Sequence, residues 1–361
     1  MKDQFHPLTV AKVRRETADA ISYALHVPPN LRTAFKFRAG QHLVVRKLFE
    51  GIEVRRTYSI SSGPADTDLW ITIKRVNGGL FSPDAHDALI AGSTIEAMAP
   101  AGRFVSAPDE TGARTYLAIA AGSGITPVMA IIQYALANER DSRFTLIYGN
   151  RSYESIIFRQ ALEDLKDQYL DRLQIFHILS RERDTDVPVL AGRIDREKIK
   201  QLMPSVGKLS EIDQVFLCGP DSLIKDARTE LMTLGVAPER IKFEYFRAGP
   251  ETLPRPISSE PSAISIDRIG AEVVAVLDGT RHRFMVEPGQ HIVAAALKAG
   301  IRVPYSCKGG MCCTCRAKLV EGQVVMDRNF SLEPWEMDAG FVLTCQARPT
   351  TGKVVVDYDQ M

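Results

Sequence analysis

The sequence predicts a multidomain chain of three folded units: an all-β unit, an α/β unit built on a parallel sheet, and a small α+β unit at the C-terminal end. Three observations carry this expectation. Near Thr115 the hydrophobic pattern changes from short alternating strands to a repeated strand, glycine turn and helix. The stretch Ala248 to Ser262, AGPETLPRPISSEPS, has no apolar periodicity and is rich in proline. Five of the six cysteines lie at Cys307 or beyond.

A chain of 361 residues is long enough for two or three compact units. The expected boundaries are 1–108 for the β unit, 112–247 for the α/β unit, 248–262 for a partly stiff linker and 263–361 for the last unit. In the first, Leu69 to Val76 alternates and then meets the turn Asn77-Gly78-Gly79. In the second, strands are expected at 118–121, 144–148, 173–179 and 214–217, with helices over 155–166 and from Val128. In the third, Val273 to Val276, the Asp278-Gly279 turn and Arg281 to Val286 read as a β-hairpin, and His291 to Lys298 as a helix ended by Gly300.

Composition excludes several classes. A hydrophobic fraction of 45% with 25% charged residues is that of a globular protein. A net charge of +1 gives no basic surplus for nucleic acid or an anionic membrane, so neither is expected as a partner. Leu117 to Ala137 carries no charge and is long enough to span a bilayer, but Gly122-Ser123-Gly124 and Thr126-Pro127 break it. A strand, turn and helix suit it better. The N-terminus lacks a signal-peptide apolar core, so a cytoplasmic location with reduced thiols is expected.

Cys307, Cys312 and Cys315 followed by Cys345 have the spacing of a plant-type [2Fe-2S] ferredoxin. Four thiolates must converge on two irons, three from one tight loop and the fourth from a distant segment. Gly309 and Gly310 would let the loop approach the cluster and aim N–H groups at its sulfurs. Cys313 is left over as a non-ligand. A structural zinc site is the competing reading, but zinc favours two separated C-x2-C knuckles and only one is present.

Two nucleotide sites are also expected. Arg56, Tyr58 and Ser59 supply a cation for a pyrophosphate, an aromatic face for a flavin ring and a hydroxyl near the ring nitrogen that takes hydride. Lys74, Val76, Gly78, Gly79 and Ser82 complete the candidate flavin set, the glycine turn presenting N–H groups to the same pyrophosphate. Tyr58 could equally be an ordinary strand residue. The second site is Gly122, Gly124, Thr126 and Pro127, a glycine turn opening a helix, with Cys218, Gly219 and Pro220 at a second strand end. Such a turn also occurs in α/β sheets that bind nothing, and Cys218 could be a core residue. Arg151, Ser180 and Arg181 suit a 2′-phosphate, favouring NADPH over NADH, although Glu154 is nearby.

Together these signatures, in this order, resemble the ferredoxin–NADP reductase superfamily fused to a C-terminal plant-type ferredoxin. The resemblance spans nearly the whole chain. It implies an antiparallel FAD-binding β-barrel, an α/β Rossmann-like NAD(P)-binding domain and a β-grasp ferredoxin domain, with FAD, NADPH and a [2Fe-2S] cluster as cofactors. It further implies that Thr126 borders the flavin and that Glu244 and Phe246 lie near its ring, so that Ser59, Cys218 and Glu244 form the candidate catalytic set. Within that group, KGGMCCTC at Lys308 to Cys315, SLEPWE at Ser331 to Glu336 and GFVLTCQA at Gly340 to Ala347 are similar to the reductase component of the multicomponent phenylacetyl-CoA epoxidase. The implied partner is its diiron oxygenase component. A steroid or aromatic-ring hydroxylase, or a role as an iron-sulfur redox sensor, are the alternatives. No diiron Glu-x-x-His pair or Rieske pattern occurs in the chain itself. Glu321, Asp327, Glu333, Glu336 and Asp338 form an acidic stretch that could steer a basic acceptor or be a solvated face.

A proline-rich linker lets the last domain move between flavin and acceptor. Shortening residues 250–261 is expected to slow acceptor reduction while leaving flavin reduction intact, as followed by stopped-flow absorbance.

Overall fold

The computed structural model describes residues 4–63, 66–106, 113–182, 187–246 and 270–360. The proline-rich stretch 248–262 and the expected boundaries at 108–112 and 247–263 lie outside the described residues.

The first unit is six antiparallel strands: β1 (Phe5–Thr17), β2 (Ala20–His26), β3 (His42–Phe49), β4 (Ile52–Ser59), β5 (Leu69–Lys74) and, after helix α1 (Phe81–Ala88), β6 (Thr94–Met98). Their order is β4-β3-β6-β1-β2-β5. The sheet closes because the chain leaving β4 returns to β5, through the Ile60–Ile71 bridge and the Ser61 N–H donating to the Trp70 carbonyl at 2.9 Å. Inward residues such as Leu8, Tyr23, Leu43, Val45 and Ile71 fill this barrel. The Tyr23 hydroxyl donates to the Ala85 carbonyl at 2.8 Å and so pins α1 to the barrel.

The second unit alternates β7 (Thr115–Ala121), α2 (Ile125–Asn138), β8 (Arg143–Asn150), α3 (Arg159–Gln168), β9 (Leu173–Leu179), α4 (Arg196–Val206), β10 (Gln214–Gly219), α5 (Asp221–Thr233) and β11 (Ile241–Tyr245). The parallel order is β11-β10-β7-β8-β9. Near-continuous apolar strands are explained by cores on both faces, one containing Val128, Ile131 and Leu162, the other Ile199, Ile224 and Leu231. The strand order reverses between β7 and β10, which places a crevice beyond their carboxyl ends. The helix expected over 155–166 starts at Arg159, because Ser152 and Ser155 close a reciprocal cap around a short turn and Phe158 is left-handed at φ 62°. Helix α2 starts at Ile125, three residues before the position read from the sequence, because it continues directly from a tight turn over Gly122–Gly124.

The third unit has β12 (Ala271–Leu277), β13 (Thr280–Val286), α6 (Ile292–Lys298), β14 (Arg316–Glu321), β15 (Val324–Met326), α7 (Pro334–Asp338), β16 (Phe341–Leu343), β17 (Ala347–Pro349) and β18 (Lys353–Asp357). A mixed sheet of order β13-β12-β18-β14-β16 packs against α6, and β15 pairs with β17. The hairpin turn has both Asp278 (φ 49°) and Gly279 (φ 73°) left-handed, with the Asp359 carboxylate accepting from both N–H groups. Among the described residues no helix is long and apolar enough to cross a membrane.

Gly124 is where the two central loops touch: a Cβ there would lie 2.2 Å from the Cys218 carbonyl oxygen, a backbone atom that cannot swing aside. Gly124→Ala is therefore expected to cost about 1–3 kcal/mol. The check is the thermal unfolding midpoint, and an unchanged midpoint would contradict the close approach.

Candidate functional site

A cleft of about 1170 Å³ opens where the three units meet. Its first wall is β4. Successive side chains of a strand point to opposite faces, and β4 uses both. Arg56 and Tyr58 lie on one face, with the Tyr58 ring centroid 5.8 Å from that of Phe81. Arg55 and Thr57 lie on the other and meet the cysteine loop: Arg55 donates to the Tyr305 carbonyl at 3.3 Å and its guanidinium sits 4.0 Å over the Tyr305 ring. The Thr57 and Ser306 hydroxyls are 2.6 Å apart. Arg55 is oriented by Glu53 at 2.7 Å. Burial alone would raise the Glu53 carboxyl, but hydrogen bonding and attraction from Arg55 and Arg46 hold it below its ordinary range.

Lys74, Val76 and Ser82 also line the cleft, while Gly78 and Gly79 only form the turn behind it. The Ser82 hydroxyl accepts from the Val76 N–H at 3.0 Å, and α1 starts with no side chain capping its first N–H groups. Those donors are available to a pyrophosphate. Across the cleft, Gly122 turns with φ 54°, its Cα substituent direction facing the Lys74 ammonium. Thr126 is buried, donates to the Ser123 carbonyl at 3.0 Å and lines the same space, as do Pro220, Glu244 and Phe246. Pro127 is buried in the first turn of α2. Gly219, at φ 156°, accepts at its carbonyl from the Phe246 N–H and so docks the segment carrying Glu244.

The structure corrects two expectations here. Cys218 does not face the cleft: its side chain is fully buried in the core with Ile125, Val128 and Phe216, and burial, aided by Glu244 on the neighbouring strand, pushes its thiol well above the ordinary range. It is a core thiol, because β10 is an interior strand between β11 and β7 with helices on both faces of the sheet. Arg181 is exposed outside the cleft walls, whereas Arg193 enters beside Arg151 and Ser180. No local sequence signal singled out Arg193, because a loop returning to Leu179 brings it there.

His42 was also missed. It pairs across β3 and β4 with Ser59, is only 1% exposed, and its Nδ1 lies 3.4 Å from the Glu244 carboxylate. A side chain at Gly102 would come within 2.9 Å of that ring. Glu244 Oε2 and the Asn150 amide nitrogen are buried with no hydrogen-bond partner, and both residues line the cleft. Orphaned polar atoms facing a cleft are what a polar ligand would satisfy.

The four cysteines named by spacing converge in two touching pairs. Cys312 donates to Cys307, which also accepts from the Gly309 and Met311 N–H groups at 3.4 Å each; these bonds lower the Cys307 thiol. Cys315 and Cys345 form the second pair, and both are buried. Among the described residues no three such side chains gather about one point as a single ion requires. Two thiol pairs from one loop and one distant strand end instead suit two irons, so the donor set fits a [2Fe-2S] cluster and not one zinc. Gly310 is the indispensable glycine: it has φ 77° and no room for a Cβ, which would be 2.9 Å from the Arg328 carbonyl. Gly309 has ordinary space around it and contributes its N–H. Cys313 turns away at φ 54°, donating to the Ser331 hydroxyl at 3.0 Å and accepting from Arg103 at 3.2 Å.

Comparison with known proteins agrees with this assembly. Residues 7–105 match the oxidoreductase FAD-binding domain family, 118–229 the oxidoreductase NAD-binding domain family and 275–350 the 2Fe-2S iron-sulfur cluster binding domain family. A component of the 1,2-phenylacetyl-CoA epoxidase from Escherichia coli K12 is 43% identical over 93% of this chain and 92% of its own. The chain belongs to the flavin- and iron-sulfur-containing reductase components of oxygenase systems. The ferredoxin reductase component of 3-ketosteroid-9-alpha-monooxygenase from Mycolicibacterium smegmatis is 35% identical over 92% of this reductase and 90% of that protein. Phthalate dioxygenase reductase, a solved structure covering 99% of this chain and 98% of its own with a TM-score of 0.57, is 24% identical and shares the fold.

Cys313→Ser is expected to retain two irons and two labile sulfides per chain, and Cys345→Ser to lose them. Iron and sulfide analysis of the purified proteins distinguishes these outcomes, and loss of iron in the Cys313 variant would make it a ligand.

Proposed function

We propose that this chain is the NADPH-dependent reductase that feeds the oxygenase of a phenylacetyl-CoA epoxidase. The observation that carries the electron-transfer reading is the single cleft shared by the flavin strand and the cysteine loop, joined at Thr57 and Ser306. FAD supplies hydride acceptance from the nicotinamide and release of the two electrons singly, and the [2Fe-2S] cluster carries them one at a time.

The chain's own residues then have distinct tasks. Arg56, with the open N-terminus of α1, binds the flavin pyrophosphate, Tyr58 covers the ring, and the Ser59 hydroxyl donates toward the reacting nitrogen. Glu244 borders the nicotinamide with Phe246, and buried His42 lies 3.4 Å behind the Glu244 carboxylate. Gly122 and the start of α2 receive the nicotinamide nucleotide's pyrophosphate. Arg55 and Thr57 orient the cysteine loop so that Cys307 faces the flavin space.

The preference for NADPH is supported by Arg151 and Arg193 lining the cleft with Ser180, whereas Glu154 and Glu182 do not; Glu182 accepts from the Tyr153 N–H at 2.6 Å. Guanidiniums accommodate a 2′-phosphate where a carboxylate would select the free ribose hydroxyl. The partner reading is supported by the higher identity to the epoxidase component than to the steroid reductase. A steroid or ring hydroxylase remains the alternative acceptor.

Anaerobic stopped-flow mixing with NADPH and with NADH tests both parts. Rapid bleaching of flavin and cluster by NADPH is expected, with Arg151→Ala and Arg193→Ala each weakening NADPH use about tenfold and leaving NADH unchanged. Absence of flavin bleaching with either nucleotide would favour a redox sensor. NADPH oxidation coupled to phenylacetyl-CoA turnover, on mixing with the epoxidase oxygenase, tests the partner.

A further inference from the structure

The imidazole of His42 is buried at the flavin end of the cleft without a hydrogen bond. It is 1% exposed, and neither ring nitrogen has a partner among the described residues. Two unanswered polar atoms in a packed interior are unfavourable, and folding alone gives no reason to keep them. The ring is nonetheless held firmly. The His42 N–H donates to the Ala101 carbonyl at 2.8 Å, and its carbonyl accepts from the Ala101 N–H at 2.9 Å. Gly102 follows at φ 111°, where a Cβ would stand 2.9 Å from Nδ1 and 3.0 Å from Cε1. The missing side chain at 102 leaves the room that the ring fills.

What the ring faces is Glu244. Nδ1 is 3.4 Å from Oε1 of that carboxylate, while Oε2 is buried without a partner and the residue lines the cleft. A carboxylate only accepts, so Nδ1 can answer it only by carrying the ring proton. An N–H to carboxylate bond closes at about 2.9 Å, so a shift of roughly half an ångström makes it. Ser59 is the cross-strand partner of His42, and Cys218 is that of Glu244, so the two side chains meet where the barrel touches the interior of the parallel sheet.

We propose that His42 is a positioning residue for hydride transfer: its Nδ1–H donates to Oε1 of Glu244 and fixes the carboxylate so that Oε2 faces the nicotinamide. The inference rests on reading Glu244 as the border of the nicotinamide site. In that reaction the C4–H bond of the reduced nicotinamide breaks, hydrogen and bonding electron pair pass to the flavin ring nitrogen, and the nicotinamide ring is left a cation. A carboxylate at its edge attracts that charge more strongly as it develops than before the bond breaks. The attraction depends on placement, and a carboxylate free to rotate on its strand loses much of it. His42 supplies the placement from the barrel, so the rate depends on how closely the two domains are seated.

The test uses the full flavin- and cluster-loaded chain and follows flavin reduction by NADPH in anaerobic stopped flow. His42→Leu is expected to lower the limiting rate about tenfold. The half-saturating NADPH concentration and the Kd of 2′,5′-ADP, which lacks the nicotinamide, stay unchanged, because the lost interaction belongs to the transition state. His42→Asn, whose amide nitrogen stands near the Nδ1 position, regains the rate to within about threefold. In a Glu244→Gln background His42→Leu slows nothing further, since the two residues act as one unit. If His42→Leu fails to take up FAD, His42→Gln, whose amide overreaches the Nδ1 position, replaces it in the same comparison. Spectra of 15N-histidine-labelled protein give a second readout: the resonances lost in His42→Asn are those of a ring protonated at Nδ1, and they change tautomer in Glu244→Gln. A wild-type rate in His42→Leu, an equal slowing in the Glu244→Gln background, or a ring protonated only at Nε2 overturns the positioning role. Wild-type protein whose flavin is reduced by neither NADPH nor NADH would instead overturn the reductase reading itself.

Discussion

Alternation along one β-strand is the constraint on which the rest of the structure depends. In β4 the side chains of Arg56 and Tyr58 point one way and those of Arg55 and Thr57 the other. A shift of one residue in its pairing with β3 would exchange the two sets. Register is therefore what allows one strand to line the cleft and to grip the cysteine loop at Tyr305 and Ser306. The buried faces of β3 and β4, with Val44, Val45 and Val54, make that register costly to change.

Close backbone approach does the corresponding work in the second unit. Gly124 lies against the Cys218 carbonyl, so the turn after β7 and the end of β10 meet at the point where the sheet order reverses. That contact brings the Gly122 turn, Thr126 and Pro220 to one side of the crevice. The hydrogen bond from the Phe246 N–H to the Gly219 carbonyl then hangs Glu244 at the same mouth, where buried His42 meets it from the barrel. A carboxylate and an imidazole from two domains thus lie 3.4 Å apart at the site itself, with no hydrogen bond to either ring nitrogen.

Electrostatics in the third unit are divided by geometry and not by composition. Acids close together in sequence have different fates: Asp327 is satisfied by His291 and Arg348 on its own domain, while Glu333 and Glu336 meet arginines from the other two. A buried carboxylate with two guanidiniums tolerates losing one, whereas a carboxylate with one would not. This makes the interdomain contact separable without disrupting the ferredoxin core.

The sequence by itself determined what depends on neighbours along the chain. The change of hydrophobic period near Thr115, the Asp278-Gly279 hairpin turn, the glycine turn before α2 and the cysteine spacing are local, because strand period, left-handed turns and a ligand loop are each set within a few residues. Arg56, Tyr58, Ser59 and Ser82 were named from short local motifs, and the structure lines the cleft with them. Tertiary structure alone decided which faces meet. It put Cys218 in the core because β10 became an interior strand, brought Arg193 in place of Arg181 through a returning loop, and set His42 behind Glu244 across two domains. It also turned Arg55, Arg103 and Arg228 onto the ferredoxin domain. Those outcomes depend on contacts between residues far apart in the chain, and no local pattern encodes them.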